Sequence, residues 1–167
     1  MVHPMSSASS RFSDFSADPQ LAQIKLPPHS LEAEQSLIGG ILLDNQAWER
    51  VADLVNEADF YRDDHRRIYR HITKLIDQGR PADAVTVFES LEKNGEAEQA
   101  GGLAYIAELA NNTPSAANIR RYAEIVRERA ILRKLVAVGD EIAASALSPS
   151  GKDAKALLDE AEAKVFE

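Results

Sequence analysis

From residue 30 onward the apolar positions recur at three- and four-residue steps, the spacing of helices, and no strand pair is evident. Leu31, Leu37, Ile38, Ile41 and Leu42 share one face behind Ser30 as N-cap, with Glu32 and Glu34 at the positive end of the helix dipole. Gly39-Gly40 interrupts this face at about 1 kcal/mol per glycine relative to alanine, which predicts either close approach by a neighbouring helix or a break. Trp48, Val51, Val55 and Ala58 predict a short second helix after Asp44-Asn45. A third, capped by Asp63 or Asp64, carries Ile68, Tyr69, Ile72, Leu75 and Ile76 and stops at Gly79 and Pro81. Thr86 and Glu89 stand at capping-box spacing for a fourth through Phe88 and Leu91, and Gly101-Gly102 precedes a fifth with Leu103, Tyr105, Ile106 and Leu109. Ile41, Trp48 and Ile72 are assigned to the core.

The pattern changes at Asn112-Thr113-Pro114, where Thr113 is expected to cap a helix holding Pro114 in its first turn. From there to Leu147 there is no other proline and only Gly139, so ~33 residues span roughly 50 Å, more than a domain of this size needs. A turn at Ser148-Pro149-Ser150-Gly151 leads to a last helix behind Asp153, with Leu157, Leu158, Ala161 and Val165. The expected fold is all-α: a compact head of about five short helices over 26–112, then a projecting antiparallel two-helix hairpin over 113–167. Residues 1–25, rich in serine and without periodicity, are expected to be a disordered tail closed by Pro27-Pro28.

A slender hairpin has little room to bury apolar residues on all sides, and exposed apolar area costs about 25 cal/mol per Å². Val136, Ile142 and Leu157 are therefore candidates for a partner surface, the alternative being the seam between the hairpin's own helices. Self-association or capture of a partner is the physical expectation.

Charge adds a constraint. With 19 Lys and Arg against 27 Asp and Glu, the net charge of −8 argues against a protein that coats nucleic acid over its whole surface. Two basic stretches, 62–70 with Arg66 and Arg67 and 120–134 with Arg120, Arg121, Arg127 and Arg133, leave two readings open. They are either solvated helix faces with exposed ion pairs or a strip facing DNA or a charged partner, as in a stand-alone helical nucleic-acid-binding domain. No run approaches the ~20 apolar residues of a membrane span and the first residues do not read as a signal peptide, so a soluble cytoplasmic protein is expected.

Catalytic patterns are not found. The only Gly-Lys pair, Gly151-Lys152, is followed by Asp153 and has Ala146 where a phosphate-binding loop needs its first glycine. His3, His29, His65 and His71 lack the spacing of a helix-borne zinc pair and are expected to be structural or solvent-facing. Cysteine is absent, and no serine sits in a nucleophile elbow. Neither catalytic, metal nor cofactor residues are assigned.

Several short motifs in fixed order resemble DnaB-family replicative helicases. They are Leu26-Pro27-Pro28-His29-Ser30 with Glu32-Ala33-Glu34-Gln35-Ser36 and Gly39-Gly40, then Asp59-Phe60-Tyr61, His65-Arg66 and Ile68-Tyr69. Gly101-Gly102 with Ala104-Tyr105-Ile106-Ala107-Glu108-Leu109 follows, then Thr113-Pro114-Ser115-Ala116-Ala117-Asn118, Ile125-Val126-Arg127-Glu128-Arg129 and Leu157-Leu158-Asp159. The resemblance runs from 26 to 167 and falls on the family's N-terminal domain. It implies a collar of paired heads and hairpins in a hexameric ring, a trimer of dimers, that encircles DNA and binds the C-terminal domain of primase and also a helicase loader. It implies a dimer for the domain in isolation. It further implies that ATP and magnesium belong to a motor domain whose motifs are missing here, so this chain is not expected to be an enzyme. By position in the family pattern, Tyr105 joins Val136, Ile142 and Leu157 as a subunit or primase contact; a tyrosine in a helix seam is the alternative.

Overall fold

The computed structural model describes residues 26–167, so the tail expected over 1–25 lies outside the described residues. Six α-helices follow one another: α1 (Leu31–Leu43), α2 (Asp63–Asp77), α3 (Ala84–Lys93), α4 (Gly102–Asn111), α5 (Ile119–Leu147) and α6 (Ala154–Phe166). No strand occurs among the described residues, and the all-α expectation holds. No helix among them is long and apolar enough to cross a membrane.

Ser30 caps α1 as its side chain accepts from the Ala33 amide. Leu37, Ile38 and Ile41 are fully buried and put α1 at the centre of the head, against Ile68, Ile72, Leu91, Ile106 and Ile119. The glycine pair explains how so many helices meet there. A Cβ on Gly39 would collide with Thr113 and with the Leu109 carbonyl, so α1 passes the end of α4 backbone to backbone. The close-approach reading is the correct one, and α1 does not break.

Four local expectations are corrected. The second helix is instead two short 3-10 segments, Asn45–Arg50 and Glu57–Asp59. Side chains capture the backbone here: Asn45 Nδ2 donates to the carbonyls of Ile41 and Ala82 while its Oδ1 accepts the Ala82 amide, and Asn56 and Asp59 form a reciprocal cap. α3 starts earlier than expected, because the capping box is Asp83 with Thr86 rather than Thr86 with Glu89. α2 has no side-chain cap, and Asp63 and Asp64 lie within its first turn. Thr113 does not cap the long helix: it is buried and donates its hydroxyl to the Leu109 carbonyl, extending the end of α4, and α5 begins at Ile119. Of the three assigned core residues, Ile41 and Ile72 are buried, whereas Trp48 packs against the core from its half-exposed edge.

α5 has 29 residues, about 43 Å of helix. Its first two turns supply Ile119, Ala123 and Val126 to the core, and no later residue of the chain is buried. α6 folds back along the distal half of α5, antiparallel to it. Lys164 pairs with Glu141, and Lys134 Nζ donates to the Glu167 carbonyl.

Candidate docking surface

Beyond Val126, α5 carries Ile131, Leu132, Leu135 and Val136, two i,i+4 pairs forming one stripe, and all four are exposed. Leu135 retains 57% and Val136 52% of its accessible surface. Val165 and Phe166 reach the same level of the arm at the end of α6, and Phe166 is 82% exposed. This is an apolar patch of the kind that water disfavours.

The two other arm residues singled out in the sequence, Ile142 and Leu157, sit farther out. Half-buried, they face each other across the α5–α6 seam and line a groove of about 330 Å³ with Ala146, Leu158 and Ala161. Val136 is thus on the open face, while Ile142 and Leu157 belong to the inner wall of the hairpin.

Tyr105 is on α4, half-buried, in a second concavity of about 170 Å³ shared with Glu32, Gln35, Ser36, Glu108 and Asn112. Its hydroxyl lies 2.6 Å from His65 Nε2 and 3.3 Å from Gln35 Nε2, and the Arg62 guanidinium stands 5.5 Å from the ring centroid. Burial pushes the phenol above its ordinary pKa. Arg62 is itself held by Asp64.

Each arginine of the two basic stretches has an intramolecular partner. Arg66 donates to the carbonyls of Phe60 and Tyr61, and Arg67 pairs with Asp63 and Glu96. Arg120 and Arg121 share Glu124. Arg127 pairs with the buried Asp59 at 2.7 Å. Arg133 donates to the carbonyls of Pro28 and Asp59 at 2.8 and 2.6 Å, with its guanidinium over Tyr61. These contacts tie the chain entry and the 3-10 segments to α5. Among the described residues no group of His, Asp and Glu is arranged to hold a metal ion.

Sequence reasoning missed two buried polar chains. Glu34 is 1% exposed, accepts from the Tyr61 amide and lies 2.8 Å from His65 Nδ1, so it is a buried acceptor rather than only a dipole partner. His71, also buried, bridges Ser90 Oγ and Glu96 Oε2, both at 2.7 Å. A signal was present: Glu34 falls in register with Leu37, Ile38 and Ile41, His65 with Ile68, Tyr69 and Ile72, and His71 with Ile68 and Leu75. His65 and His71 are both buried, and neither faces solvent.

Over residues 26–128 the chain matches the family model described as DnaB-like helicase N terminal domain. It is similar to the replicative DNA helicase DnaB of Haemophilus influenzae, 49% identical over 151 residues that make up 90% of this chain and 32% of that protein. The DnaB of Geobacillus stearothermophilus is 36% identical over 148 residues, 89% of this chain and 32% of that protein. The chain therefore spans about a third of the length of these relatives. Among solved structures, the crystal structure of the N-terminal domain of DnaB helicase from Mycobacterium tuberculosis superposes with a TM-score of 0.81 at 39% identity, covering 84% of this chain and 99% of that one. A DnaB-like replicative helicase, described together with its interactions with primase, superposes at 0.63 and 22% identity over 80% of this chain and 30% of that one, a likeness of fold.

Proposed function

We propose a role for this chain from one established fact: it belongs to the DnaB-like helicase N-terminal domain family. It acts as the collar of a bacterial replicative helicase in the cytoplasm. The chain divides into a head over 26–112 and a hairpin arm over 113–167 that pair with those of other copies, giving a dimer in isolation and a trimer of dimers in the hexameric ring around DNA. The same collar docks the C-terminal domain of primase, through Tyr105 and the Val136 face, and a helicase loader is a further partner. ATP and magnesium serve the motor portion of the full-length protein.

The observation that carries this reading is the exposed stripe Ile131, Leu132, Leu135 and Val136 on α5. Nothing among the described residues covers it, and burying it against another molecule removes an unfavourable apolar surface from water. The intramolecular engagement of the arginines weighs against the nucleic-acid-binding alternative.

Sedimentation of the purified chain, alone and with primase C-terminal domain, tests the proposal. Association that rises with concentration, complex formation with primase, and little change with salt are expected. Leu135→Asp or Val136→Asp weakens assembly at least tenfold at unchanged helicity, about 1.4 kcal/mol or more. Ile142→Asp and Leu157→Asp, at the seam, lower helicity instead. A strict monomer indifferent to primase at high micromolar concentration would overturn the reading, as would DNA binding whose log affinity falls steeply with log salt.

A further inference from the structure

Glu34 lies on α1, buried, with Oε2 accepting the Tyr61 amide at 2.8 Å and Oε1 placed 2.8 Å from His65 Nδ1. An ionised carboxylate only accepts, so the proton between them is on Nδ1. In the neutral ring this leaves Nε2 as a bare lone pair, which is 2.6 Å from the Tyr105 oxygen. A lone pair can only receive, so the Tyr105 hydroxyl gives its proton inward to His65. The phenol oxygen in turn accepts from Gln35 Nε2. The two rings lie parallel, 9° apart, and His65 has no exposed surface. A directional chain therefore runs from α1 through α2 to α4, ending on the residue that lines the concavity beside Glu32 and Glu108.

We infer that Glu34 and His65 are positioning residues for the docking surface: by fixing the imidazole as its Nδ1–H form they hold the Tyr105 hydroxyl inward and present only the ring to a partner. The inference rests on the proposed docking role of Tyr105. It has a consequence for the partner's chemistry. A group seated on Tyr105 meets an aromatic edge beside the Glu32 and Glu108 carboxylates and the Arg62 guanidinium, and finds no free phenolic donor. The hydroxyl contributes to docking although nothing docks on it.

The test uses the full chain and the C-terminal domain of primase as the probe. Long-range ¹⁵N–¹H correlation spectra at neutral pH are expected to show His65 protonated at Nδ1 and bare at Nε2. Tyr105→Phe, which keeps the ring, should shift the Nε2 resonance and weaken primase binding about fivefold, the worth of one hydrogen bond. Glu34→Gln still accepts the Tyr61 amide through its carbonyl but offers His65 an N–H, so the imidazole should switch to the Nε2–H form. Binding should then fall by a similar factor, and adding Tyr105→Phe to Glu34→Gln should cost nothing more. A role confined to packing would leave the tautomer unmoved. If Glu34→Gln does not fold, the unsubstituted chain and Tyr105→Phe still decide the matter. A protonated Nε2 in the unsubstituted chain overturns the inference. So does Tyr105→Phe binding at full strength while Tyr105→Ala does not bind, a result that leaves the docking role standing. Full-strength binding by Tyr105→Ala removes the docking role of this residue and the inference with it.

Discussion

Gly39 lies directly against Thr113: a Cβ built on the glycine would stand 2.0 Å from the threonine hydroxyl and 2.3 Å from the Leu109 carbonyl oxygen. The glycine backbone packs directly on the Thr113 side chain and the Leu109 carbonyl, with no room for a side chain of its own. The contact joins the first helix of the described chain to the segment that leads into the arm.

Gly39→Ala must therefore displace backbone and is expected to cost about 2–3 kcal/mol, the range of overpacked cores. Its neighbour behaves differently. A Cβ on Gly40 meets Ile119 Cδ1 at 3.1 Å, the movable end of a side chain, and alanine is the better helix former by about 1 kcal/mol. Gly40→Ala should shift stability by less than about 1 kcal/mol in either direction. Urea unfolding of the two variants decides it, and equal losses would show that the crossing is looser than described.

Acid sensitivity should concentrate at Glu96. The hydrogen bond from His71, together with Arg67 and Arg70, holds its carboxyl below the usual glutamate range despite the opposing effect of burial. The folded form thus binds fewer protons than the unfolded chain near pH 4. The stabilisation is fully present above the unfolded value of about 4.3 and is lost as pH falls through the lowered folded value. Glu96→Gln should cost about 1–3 kcal/mol at pH 7, with a deficit that shrinks as the solution is acidified. Denaturation measured at pH 7 and pH 3 checks this; a deficit of the same size at both would exclude the ionised pair as its source.

Arg133 is expected to act on stability and not on nucleic-acid affinity. It bridges the carbonyls of Pro28 and Asp59 and lies over the Tyr61 ring. Arg133→Ala should lose about 2 kcal/mol, and Arg133→Lys should restore less than half, because an ammonium group lacks the planar fork. Thermal unfolding measures both. A variant of native stability but weakened DNA binding would reverse the assignment.

Helix faces were readable from apolar spacing, and the close approach at Gly39 from the energetic cost of a glycine pair inside a helix. The 3-10 segments were not, because Asn45 and Asn56 determine them through side-chain bonds to backbone groups, one of them 37 positions away at Ala82. Periodicity carries no record of such contacts. Position on a face told that Val136 could be exposed, but the separation of Val136 from Ile142 and Leu157 depends on where α6 folds back, a relation between distant residues. The polar chains at His65 and His71 were missed for a different reason. A charged residue on an apolar face reads as solvent-facing until its partners on other helices are known.

α5 passes from Ile119 in the interior to Leu147 at the far end without interruption. The rod is therefore a lever whose fulcrum is inside the globule, with Ile119 only a van der Waals contact away from Gly40. Torque applied where Leu135 and Val136 are gripped has no joint in which to dissipate. A tilt imposed on the outer end is transmitted to the heart of the molecule, so the handle and the keystone move together.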